Sequence, residues 1–390
     1  MTAELRERVR ALPGMDRLLP ALEGLPPAYL VGGAVRDLLR WASAVDLDLA
    51  IEGDVSELTA RLGGEAAVHD RFGTANVRAG DLTADIAQTR REAYERPGAL
   101  PEVEPAGLAE DLGRRDFTIN AMAIGLSGDD LGELHDPHGG QADLEAGVVR
   151  VLHPGSFVDD PTRLLRAVRY EVRLGFRMDD DTERLAREAS LETVSGARVR
   201  EELLDLLEEP NAPAGLARLR ELGVFPDADP ERVARAQGAS ADVGANPVLA
   251  GLAALARETP ESWLDELGLD RHARDAAARA ARGAAGLAEA LAPDLSPSRL
   301  HELLHDEPPE ALALALALGA PAEPVQRFVR DLRDVRLEVS GDDLIAAGVP
   351  ESPELGRALD ETLRRKLDGE VSGRDEELRV ALEIARGERT

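Results

Sequence analysis

Hydrophobic and polar positions change their period near residue 160, and this change divides the chain into two kinds of structure. Before it, short apolar runs such as "AYLVGG" and "VDLDLAIEG" end at glycines, which is typical of β-strands that alternate with helices. "NVRAGDLTADIAQTR" predicts a β-hairpin that turns at Gly80-Asp81, and "TINAMAIGL" and "GVVRVL" are further strand candidates. We therefore predict a mixed α and β unit at the N-terminal end of the chain.

Beyond residue 160 the apolar positions recur at helical spacing. "DDPTRLLRAVRYEVRLGF" places four apolar side chains on one helix face: Leu164, Leu165, Val168 and Val172. Gly175 follows them and is expected to end the helix. "SGARVREELLDLLEEP", "APAGLARLRELGVF" and "PPEALALALALGAP" repeat the order of a helix followed by a Gly or Pro stop. We predict a long helical region, with residues 229–247 as a linker between two of its helices.

Two acidic residues in the second predicted strand form the strongest candidate site. Asp46 and Asp48 are two residues apart, so their side chains are expected on the same strand face. Two carboxylates that are so close repel each other unless a cation lies between them, and Mg²⁺ held by carboxylates and substrate phosphates meets this need. Asp85, in "TADIAQTR", is a third candidate acid on a neighbouring strand. Three such acids can hold two metal ions for in-line phosphoryl transfer.

The Gly32-Gly33 pair precedes this strand and opens a predicted helix from Ala34. Glycines let the backbone approach a ligand closely, and a helix start offers N–H groups and a positive dipole end to phosphate. Arg36 lies in the first turn of that helix. Taken alone, however, a Gly-Gly turn beside two acids is more often a tight turn and a solvated strand edge.

Composition limits the classes of function. The net charge of −29 argues against broad nucleic-acid binding. Residues 160–200 nevertheless hold nine arginines against eight acids, which leaves room for a local binding face. The absence of cysteine excludes disulfides and thiolate zinc sites. The N-terminal segment is charged, unlike a signal peptide, and no stretch reaches transmembrane length, so we expect a cytoplasmic protein without a membrane partner.

Three motifs, in this order, resemble those of the class II tRNA nucleotidyltransferases, which belong to the polymerase β-like nucleotidyltransferase superfamily together with bacterial poly(A) polymerases. "LVGGAVRDLL" followed by "DLDLAIEG" is similar to the head motif, and "EDLGRRDFTINAMAI" to the Arg-Arg-Asp-Phe-Thr motif. "DDPTRLLRAVRYEVRLGF" is similar to the helix that reads the base. Since "VSGDDLIAAGVPESPELGRALDETLRRKLDGEV" also resembles the family's tail, the resemblance covers nearly the whole chain.

The resemblance implies an α+β fold in which a nucleotidyltransferase head, made of a mixed sheet and helices, is followed by an elongated all-helical neck, body and tail. The implied domains are a head at residues 1–155, a neck with the base-reading helix at 156–230, a body at 231–335 and a tRNA-binding tail at 336–390. Within the tail, residues 357–366 are the candidates for contacts with distant tRNA phosphates.

The resemblance also implies the site residues. Asp46, Asp48 and Asp85 match the catalytic acids, of which the first two bind Mg²⁺ and the third helps to activate the primer hydroxyl. The implied nucleotide-binding residues are Gly32, Gly33, Arg36, Arg115, Asp116, Asn120, Asp160, Arg163, Arg166 and Arg169. Asp160 and Arg163 match the pair that reads the incoming base. Their i, i+3 spacing is consistent with one helical stripe, although such a stripe is also typical of an exposed arginine face.

The activity implied by the resemblance is addition of nucleotides from CTP and ATP to the 3′ end of tRNA, without a nucleic-acid template or an obligate protein partner. The segment between Asp85 and Arg115 lacks the Arg-Arg-Pro element common in full CCA-adding members, where this loop helps to switch from C to A addition. Full CCA addition, CC addition alone and A addition alone therefore stay open. A poly(A) polymerase is a further alternative, which the scarcity of basic segments disfavours. An inactive RNA-binding module is another, which the intact acids disfavour.

One further motif resembles a zinc site. "HELLHD", residues 301–306, matches the H-E-x-x-H pattern of zinc proteases, with His301 and His305 on one helix face. No third ligand follows it in the sequence, and the motif lies in a short amphipathic segment. We expect a surface helix here and no zinc site.

Overall fold

The computed structural model describes residues 2–42, 46–69, 73–256 and 260–387. It divides into two compact units, Met1–Asn211 with Arg218–Pro226 and Ala212–Ala217 with Asp227–Thr390. The division falls inside the segment expected to be the neck, and the four-part domain organisation stays a prediction.

The first unit is built on a mixed sheet, as the α+β prediction requires. The strands of the chain are β1 (Ala28–Val31), β2 (Leu47–Ile51), β3 (Glu65–His69), β4 (Thr74–Ala79), β5 (Leu82–Gln88), β6 (Arg90–Ala93), β7 (Glu102–Pro105), β8 (Ala123–Gly125), β9 (Leu134–His135), β10 (Val148–Val149) and β11 (Arg177–Met178). Seven of them form one sheet in the order β3-β4-β5-β2-β1-β8-β9. Within it β2 and β5 run parallel, while the other neighbouring strands are antiparallel. The sheet thereby sets β2 and β5, which carry the candidate acids, side by side.

Two strand predictions have different outcomes. The predicted hairpin is confirmed, because β4 and β5 are antiparallel and Gly80 has a positive φ of 67° between them. "TINAMAIGL" is only partly a strand, since Thr118–Asn120 form a 3-10 turn and β8 begins at Ala123. The Thr118 hydroxyl donates a hydrogen bond of 2.6 Å to Asp143, and such side-chain bonds compete with a strand ladder.

Helices complete the first unit. They are α1 (Thr2–Arg10), α2 (Met15–Ala21), α3 (Gly33–Leu39), α4 (Val55–Leu62), α5 (Leu108–Gly113), α6 (Gly140–Ala146), α7 (Ser156–Asp159), α8 (Arg163–Leu174), α9 (Asp180–Glu188) and α10 (Gly196–Glu208), and α11 (Ala212–Glu221) has residues in both units. Of the predicted apolar face of α8, Leu164, Leu165 and Val168 are buried and Val172 is half-buried, and Gly175 ends this helix in the left-handed conformation.

The second unit is helical throughout its described residues. Its helices are α12 (Pro230–Val243), α13 (Pro247–Leu255), α14 (Pro260–Leu267), α15 (Arg271–Ala290), α16 (Pro297–Leu304), α17 (Pro309–Ala317), α18 (Ala322–Arg327), α19 (Gly341–Ala346), α20 (Pro353–Leu367) and α21 (Arg374–Ala385), and Phe328–Leu332 form a π-helical turn. Helices α12, α13, α15 and α17 pack together through buried alanine and leucine side chains. None of the described helices is both long and apolar enough to cross a membrane.

The linker predicted at residues 229–247 is wrong, because α12 occupies most of it. Asp229 caps this helix by accepting a hydrogen bond of 3.1 Å from the backbone N–H of Arg232. Val233 and Ala236 are fully buried one turn apart. Glycine and serine in the segment obscured this spacing in the sequence, but packing of the apolar face outweighs their low helix propensity.

The basic residues proposed in the tail are already paired with carboxylates of the same unit. On α20, Arg364 and Arg365 contact Glu361 at 2.7 and 3.1 Å. Arg357 pairs with Glu354, which lies one turn earlier on the same helix. Lys366 lies 2.6 Å from Glu377, which is fully buried. This face of the tail therefore presents neutralised pairs, and its role in tRNA binding stays a prediction.

Helix α16 is a surface helix, as expected, with Arg299 and Glu302 exposed, but His301 of the H-E-x-x-H motif lies on its buried face. Only 6% of His301 is exposed, and its ring stacks on His305 with 4.4 Å between centroids. The ring also meets Phe328 edge-on, and its Nε2 atom is buried with no partner among the described residues. No three histidine, aspartate or glutamate side chains in the described ranges are grouped as a metal ion would require. His301 of this motif therefore contributes to the packing of α16 against Phe328.

This burial generates a prediction about acid stability. Burial first, and then the nearby His305 and Arg336, lower the pKa of His301 from its ordinary value of 6.5. Below about pH 6.5 the unfolded chain binds a proton here that the folded chain does not, so the free energy of unfolding should fall as the pH decreases and level off below the folded-state pKa. His301→Gln should weaken this pH dependence, measured by urea denaturation of the second unit between about pH 7.5 and pH 5.5.

The matched control is His272→Gln, which changes an exposed histidine of the same unit. It should keep the full pH dependence. An unchanged pH profile in the His301 variant would show that this histidine does not couple folding to protonation.

Candidate active site

A cleft of about 510 Å³ in the first unit brings together side chains that are far apart in the sequence. Of the residues predicted from the sequence, it is lined by Gly32, Gly33, Arg36, Asp46, Asp48, Arg115, Asp116, Asn120, Asp160, Arg163 and Arg166. Asp85 and Arg169 are not part of the lining. Residues that the sequence analysis did not assign to the site also line it, among them Glu92, Tyr94, Arg114, Arg198 and Glu202.

The three candidate acids lie on two adjacent parallel strands. Asp48 and Asp85 are direct partners in the register of β2 and β5, and Asp46 lies immediately before β2. Burial first, and then the negative charges of Asp85 and Asp46, raise the pKa of Asp48 to about 6, although Arg115 and Arg36 act in the opposite direction. Asp85 is exposed and accepts a hydrogen bond from Asn76. The acids therefore share one electrostatic environment, which disfavours ionisation of Asp48.

The donor set of these acids fits a hard divalent cation. A cation would relieve the repulsion that raises the pKa of Asp48, and carboxylate oxygens are the ligands that such ions prefer. In the part of the chain that the structure describes, no three potential ligands form a preformed metal cage. The carboxylates can thus complete the coordination of such an ion only together with water or substrate oxygens.

Gly32 gives the cleft its open centre. Its φ is +65°, a conformation that only glycine adopts without strain. A Cβ atom at this position would lie 2.9 Å from Nη1 of Arg115 and 3.7 Å from Oδ2 of Asp48. Glycine therefore leaves the space between this guanidinium and this carboxylate free for a ligand.

Arg115 is held in place by Asp111, a residue that the sequence analysis missed. Asp111 is 1% exposed and accepts hydrogen bonds of 2.8 Å from Arg115 and of 2.9 and 3.0 Å from Arg114. Burial opposes its ionisation, but Arg115 and Arg114 outweigh burial and lower the pKa of Asp111. Nε of Arg115 is buried without a partner among the described residues. The i, i+4 spacing of Asp111 and Arg115 was the available sequence signal.

Asp116 and Asn120, which the resemblance assigns to sugar and phosphate contacts, bond to neighbouring protein groups. Asp116 accepts hydrogen bonds of 2.8 and 2.9 Å from Arg166 and one of 3.0 Å from Asn120. Asn120 in turn accepts a hydrogen bond of 2.8 Å from Arg36. Burial would raise the pKa of Asp116, but the charge of Arg166 outweighs it and lowers that pKa. This network fixes the cleft wall, and its nucleotide contacts stay a prediction.

The predicted stripe of residues 160, 163, 166 and 169 does not lie on one helix. Asp160 has extended backbone angles, because a residue before proline avoids the helical region, and α8 begins only at Arg163. Arg169 is not part of the cleft lining and contacts Glu202 and Asp205 at 3.0 and 3.1 Å. Asp160, Arg163 and Arg166 nevertheless line the same cleft.

Asp160 and Arg163 are both anchored by other groups. Oδ1 of Asp160 accepts hydrogen bonds of 3.0 and 2.6 Å from the backbone and hydroxyl of Thr162, and Oδ2 lies 2.7 Å from Arg198. The Arg163 guanidinium is 5% exposed and donates to the Ser156 hydroxyl at 2.7 Å and to the backbone carbonyl of residue 114 at 2.8 Å. The pair therefore presents a carboxylate acceptor and guanidinium donors in fixed positions.

The strand β6 contributes Glu92 to the wall, and Tyr94 follows it. Glu92 accepts hydrogen bonds from Arg114 at 2.8 Å and from the Tyr94 hydroxyl at 3.1 Å. Burial first, and then the negative charge of Glu92, raise the pKa of Tyr94 to about 12. The segment that follows Asp85 in the sequence is thereby tied to the arginine motif. Acids, guanidinium groups and an acceptor–donor pair in one cleft are suited to binding a nucleotide and transferring its phosphoryl group.

Two family models match the chain. The Poly A polymerase head domain matches residues 28–150, and the probable RNA and SrmB-binding site of polymerase A matches residues 175–232.

Curated relatives differ in the nucleotides that their names specify. The A-adding tRNA nucleotidyltransferase of Geobacter sulfurreducens is 34% identical over 92% of this chain and 45% of its own length. The A-adding enzyme of Halalkalibacterium halodurans is 43% identical over 50% of the chain and 49% of its own length. The CC-adding enzyme of Deinococcus radiodurans is 32% identical over 90% of the chain and 88% of its own length. The chain thus spans half or less of the length of several relatives that it matches.

Solved structures match over almost the entire chain. A CCA-adding enzyme in complex with CTP has a TM-score of 0.81 and 31% identity, covering 100% of this chain and 99% of its own. The Thermotoga maritima CCA-adding enzyme complexed with tRNA has a TM-score of 0.73 and 31% identity, covering 97% and 94%. The CC-adding relative is 32% identical and is covered over 88% of its length. Together with these two structures, this match establishes that the chain belongs to the family of class II tRNA nucleotidyltransferases.

Proposed function

We propose that the protein adds nucleotides to the 3′ end of tRNA without a nucleic-acid template, with CTP, ATP or both as donors. The observation that carries this proposal is the cleft, in which the β2 acids and Arg115 flank the open position at Gly32, and Asp160 and Arg163 line the same cavity. The similarity to enzymes solved with CTP and with tRNA supports it.

In the proposed reaction, the 3′-oxygen of the primer forms a bond to the α-phosphorus of the nucleotide, the bond from that phosphorus to the bridging oxygen breaks, and pyrophosphate leaves. Asp46 and Asp48 are the residues that would hold Mg²⁺, which would polarise the phosphate oxygens and acidify the primer hydroxyl. Asp85, beside Asp48 and exposed, is placed to help remove the hydroxyl proton. Arg115, fixed by Asp111, is placed to bind the triphosphate.

Base choice follows from donor and acceptor patterns. Cytosine and adenine each present a ring acceptor beside an amino donor, whereas uracil and guanine present a ring N–H beside a carbonyl. Arg163 only donates and ionised Asp160 only accepts, so together they complement the first pattern and oppose the second. An unsatisfied buried polar group costs about 1–3 kcal/mol, which is enough for such discrimination.

The choice between A, CC and full CCA addition can be tested with three tRNA transcripts, ending at the discriminator base, at the first C and at the second C. The missing Arg-Arg-Pro element favours a partial activity, and the A-adding relative that matches 92% of the chain is 34% identical, against 32% for the CC-adding relative that matches 90% of it. We expect the transcript that ends in CC to receive a single A and the two shorter ones not to be extended to CCA. Extension of all three to CCA would establish the full programme, and a stop after the second C would establish CC addition.

The acid assignment predicts a selective loss of transfer. Asp48→Asn keeps the shape of the side chain but removes the charge that would bind the cation, so the rate should fall by about a hundredfold or more. Thermal stability and tRNA affinity, measured by melting and filter binding, should stay near wild type. The control is Asp81→Asn, an exposed aspartate at the β4–β5 turn. Activity within about tenfold of wild type in the Asp48 variant would contradict the assignment.

The open space at Gly32 gives a second matched pair of variants. Gly32→Ala and Gly24→Ala both place a side chain at a positive φ, 65° and 76°, and should each cost about 1 kcal/mol of stability. Only the Gly32 variant brings its Cβ within 2.9 Å of Arg115, since nothing lies within 4 Å of the corresponding position at Gly24. We therefore expect a raised KM for the nucleotide in Gly32→Ala alone. Equal kinetics in the two variants would show that the close approach at Gly32 has no role in nucleotide binding.

A further inference from the structure

Arg198, on α10, connects the carboxylate of Asp160 with the segment between β6 and β7. Its Nη2 lies 2.7 Å from Oδ2 of Asp160. Its Nη1 donates a hydrogen bond of 3.3 Å to the backbone carbonyl of Gly98. Arg198 is separated from both partners by more than thirty residues in the sequence, so the fold alone brings the three together.

Gly98 is the point at which the β6–β7 segment rests on the helices beside it. Its backbone N–H donates to the carbonyl of Asp159 at 3.3 Å, and its φ is +70°. A Cβ atom here would lie 2.5 Å from the backbone oxygen of Thr193. The segment can therefore approach the connection that precedes α10 this closely only through a glycine.

The contacts of Asp160 divide between its two oxygens. Thr162 occupies Oδ1 with two hydrogen bonds, which leaves Oδ2 to Arg198 and to a ligand. A carboxylate oxygen has two lone pairs, so Oδ2 can accept from Arg198 and from the amino group of a base at the same time.

We propose that Arg198 is a positioning residue for base recognition: it holds the Asp160 carboxylate in the orientation that accepts a hydrogen bond from an amino group, and the Gly98 carbonyl holds Arg198. This inference rests on the proposed function, because it concerns the same nucleotide site. It assigns a specificity role to a residue of α10 that need not touch the substrate. It also makes the position of the β6–β7 segment part of base selection.

The test compares Arg198→Ala, Arg198→Lys and Gly98→Ala with the wild-type protein. Arg184→Ala is the control, since it removes an exposed arginine that pairs with Asp181 and Glu188 on its own helix. Two quantities are measured for CTP, ATP, UTP and GTP: incorporation into the three tRNA transcripts, as kcat and KM, and equilibrium binding by calorimetry in the presence of Mg²⁺. Melting temperatures show which variants are folded.

We expect Arg198→Ala to reduce the preference for the accepted nucleotide over UTP and GTP by about tenfold or more, through KM and binding more than through kcat. Arg198→Lys should recover part of this preference, because it keeps a cation beside Asp160 but loses the second contact. Gly98→Ala should change the preference in the same direction and by less, since it leaves Arg198 and Asp160 intact. Arg184→Ala should behave as wild type.

A folded Arg198→Ala variant that keeps the wild-type preference would overturn the inference. An equal loss for all four nucleotides would also overturn it, because a general structural role gives that result. Failure of the proposed function has a different signature, namely that the wild-type protein incorporates no nucleotide into any transcript. In that case the binding measurements still decide the role of Arg198.

Discussion

The repulsion between carboxylates on β2 and β5 is the constraint on which the rest of the first unit depends. Parallel pairing sets Asp48 directly beside Asp85, and partial burial makes this proximity unfavourable for two charged groups. Arginine side chains line the cleft around these acids, and the lack of a side chain at Gly32 leaves space beside Asp48. The unfavourable charge is thus kept where a cation can neutralise it. Perturbed acids of this kind are typical of functional sites.

The arginines of the cleft are themselves fixed by buried acids. Asp111 is hydrogen-bonded to Arg115, and Asp116 to Arg166. Asn120 connects Asp116 to Arg36 through two further hydrogen bonds. Because a buried charge is costly without a partner, each acid ties its arginine to one geometry. The site is therefore arranged before a ligand arrives, and little side-chain entropy remains to be lost on binding. A chain with a large excess of acids is suited to this arrangement.

Local patterns predicted the features that depend on neighbours in the sequence. The i, i+2 rule identified Asp46 and Asp48 as one pair, and helical periodicity identified α8. The sequence identified Asp85 as a third acid on a neighbouring strand, but its position opposite Asp48 was not accessible, since strand register depends on tertiary pairing. No periodicity relates Asp160 to Arg198, so this contact was not accessible from the sequence. Pro161 did indicate that Asp160 lies outside the helix, because a residue before proline avoids helical angles. The prediction of one stripe used the three-residue spacing alone and did not take this proline into account.

The paired cations of α20 have a consequence for how the protein meets other polyanions. A free lysine or arginine attracts any phosphate backbone through released counterions, whereas a cation already bonded to a carboxylate must first give up that partner. Bulk DNA and unrelated RNA therefore gain little from contact with this surface. A polyanion that is attracted by charge alone would thus compete poorly for this surface, whatever its sequence.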